Sequence, residues 1–460
     1  MKQYPTYKDS GIQGIDVVPN HWYFSPLKYI SYIKGRIGWQ GLKSDEFIED
    51  GPFLITGMNF KNGKIRWEEV YHITEERYNE APEIQLKTGD VLMTKDGTIG
   101  KLLFVDEIPS PGKASLNSHL LVIRPLKNIY FPKYLYYQLD SHLFKKHIED
   151  TKTGTTFYGI TQEAVGNFKM LIPDFKEQLM IASFLDHKTS EIDQLIAAKE
   201  ELIAKLEAQR KAIINEAVTG QAYKTGLIPT PNGKEVKFKD SGIEWMDEIP
   251  EQWKVVKLKY IVNKIGSGVT PRGGSEVYTE EGIPLLRSQN IHFDGLRLEG
   301  VARIPEVIHQ KMSSTVVLPN DVLLNITGAS IGRCFYVDDN LGEANVNQHV
   351  CIIRPELSKI SSEYLNFFIS SSCGQFQISS GQDGTSREGL NFEEIKNFLI
   401  TLPPKSEMKI IADWIQKRLN DTNSIKKQTI QSIEKLKLYK QSLITEAVTG
   451  KIDVRDWQKE

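Results

Sequence analysis

The chain has 460 residues, which at roughly 150 per domain predicts about three globular units, or two with connecting elements, and excludes a single small domain. Apolar residues make up 40%, charged residues 25% and aromatic residues 10%, enough for an ordinary core in each unit, so wholesale disorder is excluded. With 57 basic against 59 acidic residues and a net charge of −2, the chain as a whole is no polycation, and any surface for a polyanion has to be local.

The opening stretch is polar and no apolar run of 18 residues occurs anywhere, so neither a secretory signal nor a membrane span is expected and the protein is expected in the cytoplasm. Short β-rich runs, Val91–Thr94 and Leu120–Ile123, alternate with Gly, Pro and Asn turns, and a single helix is expected near Tyr134–Lys146. Residues 1–176 therefore read as a compact α+β domain. From Glu177 to Ala217 both Gly and Pro are absent, and apolar residues fall at Ile181, Leu185, Ile192, Leu195, Leu202, Leu206 and Ile213. These positions predict a heptad seam on one long helix over 177–220, interrupted by Lys188, Lys199 and Gln209 and stopped by Gly220 in the left-handed conformation. A Pro-, Gly- and Lys-rich linker over 221–238 follows.

Then the chain repeats itself. Lys8-Asp9-Ser10-Gly11-Ile12 recurs as Lys239-Asp240-Ser241-Gly242-Ile243, Pro19 and Trp22 as Pro250 and Trp253, and Leu27-Lys28-Tyr29-Ile30 as Leu258-Lys259-Tyr260-Ile261. Asp90-Val91-Leu92 returns as Asp321-Val322-Leu323, Ile99-Gly100 as Ile331-Gly332, Ile123-Arg124-Pro125 as Ile353-Arg354-Pro355, and Gly154-Thr155 as Gly384-Thr385. Both copies close on Glu-Ala-Val-Thr-Gly, at Glu216–Gly220 and Glu446–Gly450. So long a period marks a duplicated domain with its connector, not a solenoid. A second α+β domain is expected over 239–406, a second long helix over 407–450 with seam residues Ile411, Ile415, Ile425, Leu436 and Leu443, and a tail over 451–460. Two matched helices in one chain most simply pack on each other, antiparallel, each reaching roughly 60 Å at 1.5 Å per residue.

Chemistry is sparse. Gly97-Thr98-Ile99-Gly100-Lys101 lacks the spacing of a phosphate-wrapping loop. Leu402-Pro403-Pro404-Lys405 lacks the Asn or Asp and the aromatic residue of an adenine methyltransferase signature. Pro173-Asp174 with Asp186-His187-Lys188 superficially resembles a nuclease site, but falls at the start of the long helix and is replaced in the second copy by Pro404 and Gln416-Lys417-Arg418. Neither metal nor catalytic residues are expected. His119 and His349, each two residues after an asparagine, are read as structural. Cys334, Cys351 and Cys373 are read as reduced packing residues.

What differs between the copies lies in polar loops, where recognition residues usually sit on a rigid scaffold. Thr94–Thr98 faces Asn325–Ser330, Gly154–Tyr158 faces Gly384–Arg387, and Gly35–Gly41 faces Gly266–Arg272. Lys95, Thr98, Thr156 and Tyr158 in the first copy, and Arg287, Gln289, Asn290 and Arg387 in the second, are the candidate DNA contacts, because these side chains bond base edges or phosphates. Like frames with unlike loops, joined by helices, suit a reader of two different short sequences on one duplex.

On these motifs the chain resembles the specificity subunits of type I restriction–modification systems over essentially its whole length. The resemblance rests on the Lys-Asp-Ser-Gly-Ile…Pro…Trp openings, Gly89–Leu92 and Asn320–Leu323 leading to Ile-Gly, Pro173 with Glu177-Gln178, and both Glu-Ala-Val-Thr-Gly endings; the second copy departs with Met408 where Gln178 stands. It implies two α+β target-recognition domains separated by a pair of long antiparallel coiled-coil helices. It also implies double-stranded DNA as ligand, two docked methyltransferase subunits acting on adenine N6, and restriction subunits reached through the complex. The methyl donor, ATP and Mg²⁺ are expected on those partners, with no cofactor on this chain. The alternative from the residues alone is a docking scaffold without DNA contact, and a self-contained nuclease or methyltransferase is the third class.

If the helices set the distance between half-sites, inserting four residues after Leu195 and four after Ile425 lengthens the pair by roughly 6 Å, about two base pairs. Mapping methylated motifs should then show a spacer longer by one or two base pairs, whereas insertion in one helix alone should weaken assembly. Methylation of the original spacing by the doubly extended protein excludes the helices as the ruler.

Overall fold

The computed structural model describes residues 2–12, 14–36, 42–61, 63–154, 158–230, 233, 235–380 and 389–458. They fall into two compact units, Met1–Lys199 with Ile430–Glu460, and Glu200–Thr429. Each unit thus takes one end of both long helices, a division that no linear segment of the sequence marks.

The two units share one frame. In the first, a four-stranded antiparallel sheet runs in the order Leu102–Phe104, Val91–Thr94, Leu120–Pro125, Ser31–Gly35, and a three-stranded sheet in the order Ala114–Leu116, Ile48–Ile55, Tyr71–His72. The second repeats both orders, with Cys334–Tyr336, Val322–Asn325, Val350–Pro355 and Val262–Ser267, and with Asn345–Val346, Ile283–Leu286 and Ala302–Ile304. In each three-stranded sheet the first two strands run parallel. Val91-Leu92-Met93-Thr94 is buried throughout, not alternately, because this central strand is covered on both faces.

The repeated motifs are the parts that hold this frame. Arg124 of Ile-Arg-Pro donates through Nη2 to the buried Asp90 carboxylate at 2.8 Å, and Arg354 meets buried Asp321 with two bonds of 2.7 and 2.8 Å. Lys-Asp-Ser-Gly-Ile closes a hairpin: the Gly11 and Gly242 N–H groups donate to Asp9 and Asp240 Oδ1, at 2.9 and 2.8 Å, with both glycines at positive φ. The fully buried Trp22 donates through Nε1 to Glu177 Oε1 at 3.2 Å, and Trp253 to Glu407 Oε2 at 2.9 Å. Tyr4 and Tyr223 also donate their hydroxyls to these carboxylates. Burial and the adjacent carboxylate push both phenols above their ordinary range, so they remain donors.

The first long helix covers Phe175–Val218 and the second Lys405–Val448. Their last carbonyls, which no helical N–H reaches, are capped from the domain: Val448 by Gln138 Nε2 at 2.8 Å, and Val218 by Thr401 Oγ1 at 2.6 Å and the Tyr364 hydroxyl at 3.2 Å. Within the first unit the helices pair antiparallel, since Phe184 meets Trp457 beyond the end of the second helix while Asp193 meets Lys440 on it, at 2.7 Å. Within the second unit Glu207 meets Lys426 at 2.7 Å, and Ile214, Ala217 and Val218 share a core with Met408, Ile411, Ala412 and Ile415.

The seam differs in part from the one expected. Ile181, Leu185, Ile192, Leu206, Ile411, Ile415 and Leu443 are buried, and Ile213 and Leu436 half-buried. Leu195, Leu202 and Ile425, however, are 47%, 39% and 47% exposed. From Leu185 onward the seam alternates steps of four and three, through Thr189, Ile192, Ile196, Lys199, Ile203, Leu206 and Arg210, so Ile196, Ile203 and Arg210 take the places expected for Leu195, Leu202 and Gln209. On the second helix Thr422 and Thr429 are buried where Ile425 is not. Their hydroxyls bond the carbonyls of Arg418 and Ile425 one turn back, at 2.9 and 2.8 Å, which satisfies them inside an apolar seam. The helix expected over Tyr134–Lys146 is two, Pro132–Asp140 and His142–Thr151, broken at extended Ser141. There the His142 N–H leaves the helical ladder for Thr445 Oγ1 at 3.0 Å.

Gly220 and Gly226 separate backbone strain from packing. Both have positive φ, +78° and +68°, but a Cβ on Gly220 would lie 2.4 Å from the Pro250 ring, whereas nothing lies within 4 Å at Gly226. Gly226→Ala should cost about 1 kcal/mol from the left-handed conformation alone. Gly220→Ala should cost at least about twice that, because a packed ring has to move. Equal shifts in thermal unfolding would show that the glycine against Pro250 is no packing constraint.

Candidate nucleic-acid interface

In the second unit the turn after Ile283–Leu286 and the turn after Val322–Asn325 are bound into one cluster. The Asn325 side chain donates to Ser288 O at 2.8 Å, and the Asn347 N–H donates to Leu286 O at 3.0 Å. Asn290 closes the first turn: its Oδ1 accepts the Arg287 N–H at 2.9 Å and its Nδ2 donates to Arg297 O at 2.7 Å. The second turn is fixed by main-chain bonds, Ile326 N–H to His349 O at 3.0 Å and Leu390 N–H to Ile326 O at 2.9 Å. Thr327 bridges to Gly389, and its hydroxyl lies 2.6 Å from His349 Nδ1.

The first unit builds the same cluster with other side chains. Asn59 closes the turn there, accepting the Thr56 N–H at 2.8 Å and donating to Glu69 O at 3.1 Å. The Asn117 N–H donates to Ile55 O at 3.0 Å, the Lys95 N–H to His119 O at 2.9 Å, and the Ile160 N–H to Lys95 O at 2.9 Å. Asp96 bridges to Gly159 and takes the place of Thr327, with its carboxylate 3.2 Å from His119 Nδ1.

The candidates from sequence separate on this frame. Arg287 and Gln289 share one turn; the Arg287 guanidinium stands over Tyr278 at 5.6 Å and Gln289 is exposed. Asn290 is only 2% exposed and engaged at both ends of its amide, so it is a cap of the turn and not a DNA contact. In the first unit Lys95 is half-buried, Thr98 is exposed at the tip of the turn, and Tyr158 is 46% exposed beneath the Lys152 ammonium at 4.9 Å. Thr156 and Arg387 lie outside the described residues, as does 37–41 of the loop after Gly35.

Sequence reasoning missed Met58, 76% exposed, which holds in the first unit the position that Gln289 holds in the second. The shared asparagine, Asn59 and Asn290, marks that register. His119 and His349, read from the sequence as structural, stand at the clusters with Nδ1 against Asp96 and Thr327. The cysteines are free and buried, and burial lifts the Cys373 thiol to about 11, which keeps it protonated and inert. Among the described residues no three His, Cys, Asp or Glu side chains gather as a metal site, and no helix is long and apolar enough to cross a membrane.

Comparison with known proteins agrees with this architecture. Residues 22–208 and 250–435 each match the type I restriction modification DNA specificity domain. The chain is 26% identical over 449 residues to the type I restriction enzyme MjaVIII specificity subunit of Methanocaldococcus jannaschii, covering 95% of both. It is 24% identical over 375 residues to the EcoBI specificity subunit of Escherichia coli, covering 81% of this chain and 75% of that one. A chain solved in work on complex assembly and conformational transition of the type I R-M system superposes with a TM-score of 0.68 at 15% identity, over 95% of this chain and 99% of that one. With both repeats matched, the chain belongs to the type I restriction modification DNA specificity family.

Proposed function

We propose that each repeat reads one half of an asymmetric, bipartite duplex and that the two readings are independent. The observation that carries this is a pair of clusters with the same main-chain bonds and different side chains, exposed Met58 against exposed Gln289, and Asp96 against Thr327. A frame that keeps its backbone and changes its tips alters which bases are bonded without altering how the loops are held. Phosphate contacts from Lys95, Thr98 and main-chain N–H groups position the duplex, and Arg287 and Gln289 bond base edges. Thr156, Tyr158 and Arg387 complete the set.

The parts identical in both repeats dock two methyltransferase subunits, and the restriction subunits join through that complex. The methyl donor, ATP and Mg²⁺ belong to those partners, which act on cellular DNA in the cytoplasm.

Reconstituted with its methyltransferase subunits, the chain should retain its methylated duplex on a filter selectively, and less so as salt rises. Arg287→Ala or Gln289→Ala should cost about 1–3 kcal/mol and relax one base pair in one half-site, leaving the other half unchanged. Lys95→Ala should weaken binding evenly across sequences, and Asn290→Ala should lower stability without relaxing a base pair. Loss of selectivity in both half-sites from a single tip substitution would overturn the independence of the repeats.

A further inference from the structure

The histidines of the two clusters sit on the same backbone but carry different hydrogen-bond roles. In both, the ring follows an Asn-x-His turn in which the histidine N–H donates to the asparagine side chain, Asn117 Oδ1 at 3.1 Å and Asn347 Oδ1 at 3.2 Å. The main-chain carbonyl of each histidine is taken by the recognition loop. Both rings point Nδ1 at the side chain one residue further along that loop, Asp96 or Thr327. A structural histidine would be expected to end buried; His119 has 62% of its side chain exposed.

The side chains around each ring determine what it offers outward. A carboxylate only accepts, so His119 Nδ1 carries a proton toward Asp96, and Nε2, to which none of the described residues is bonded, is left for an external group. In the second unit Gln348 Nε2 lies 3.1 Å from His349 Nε2. An amide nitrogen only donates, so His349 Nε2 accepts, Nδ1 carries the proton and donates to Thr327 Oγ1, and the Thr327 hydroxyl proton is directed away from the ring. Its Nε2 is occupied.

We infer that His119 contacts DNA directly through Nε2, whereas His349 is a positioning residue that orients the Thr327 hydroxyl and the Gln348 amide for contact in the other half-site. This deepens the reading of the repeats as independent DNA readers and rests on it. One Asn-x-His turn then serves two specificities: with Thr327 in place of Asp96 and Gln348 in place of Ser118, the ring passes from presenting its own nitrogen to aiming a hydroxyl.

The test uses the full chain with its methyltransferase subunits, a duplex carrying the motif found methylated in cells expressing them, and a duplex with both halves scrambled. His119→Ala should weaken selective binding about tenfold and relax only the half-site read by the first repeat, while Asp96→Asn, which still accepts from Nδ1, stays within about threefold of the parent. Thr327→Val should relax the other half-site, and His349→Ala should add nothing once Thr327→Val and Gln348→Ala are combined, since the ring acts through those two side chains. Thermal unfolding of each variant identifies loss of fold, and the surface changes Thr327→Val and Gln348→Ala carry the test of the second repeat if His349→Ala unfolds. Parental affinity and motif in both His119→Ala and Thr327→Val would overturn the inference and leave the DNA reading intact. Equal retention of both duplexes by the parent complex would instead remove the DNA reading itself, and the inference with it.

Discussion

The structure depends on one buried indole in each unit. Trp22 packs its ring edge where a Cβ on Gly450 would lie 3.4 Å away, and donates its N–H to Glu177 at the start of the first long helix. Trp253 does the same between Gly220 and Glu407. Each domain thereby grips the end of one long helix and the start of the other. The carboxylate is buried in both cases, and the indole and the phenol are donors that replace water there, joined at Glu177 by His21 Nε2 at 2.8 Å, so removal of either leaves a buried oxygen short of a donor. Motifs far apart in the chain, the Pro…Trp opening, the Glu of each helix start and the Thr-Gly of each helix end, are the surfaces of this single joint.

With the helices clamped and the sheets closed by the Asp90–Arg124 and Asp321–Arg354 pairs, the turns between strands are held by main-chain bonds that do not depend on their side chains. That separation allows one frame to carry two different sets of loop side chains. Asn59 and Asn290, which close the first turn with their side chains, are the same in both repeats, whereas Asn325, which ties the two turns of the second unit together, has Thr94 as its counterpart. Where the side chain points outward, as at Met58 and Gln289, it differs.

The helix seam follows the same division between what must pack and what is merely apolar. Thr422 and Thr429 are buried because their hydroxyls are satisfied by carbonyls of their own helix. Leu195 and Ile425 remain in solvent because the alternating four-three step has already chosen their neighbours. Ion pairs flank the seam, Asp193 with Lys440 and Glu207 with Lys426. Exposed on the helix surface, such pairs favour one register more than they add stability.

By itself the sequence determined the duplication, the α+β class, the long helices and their glycine stops, since each rests on local pattern: repeated words, periodicity without Gly or Pro, and a positive φ that glycine meets without cost. It also marked the loops in which the two copies of one frame differ. Which members of a loop face outward was decided only by tertiary structure. Asn290 lies within a stretch of base-reading side-chain types, yet a carbonyl across its own turn claims its amide, and Met58 carries no polar signal although it stands at the tip. Thr156 and Arg387 lie outside the described residues. The break at Ser141 and the choice of Ile196 over Leu195 likewise depend on partners distant in sequence, Thr445 in one case and the facing helix in the other. Burial is set by what lies opposite a residue, and the linear sequence does not encode that at the residue itself.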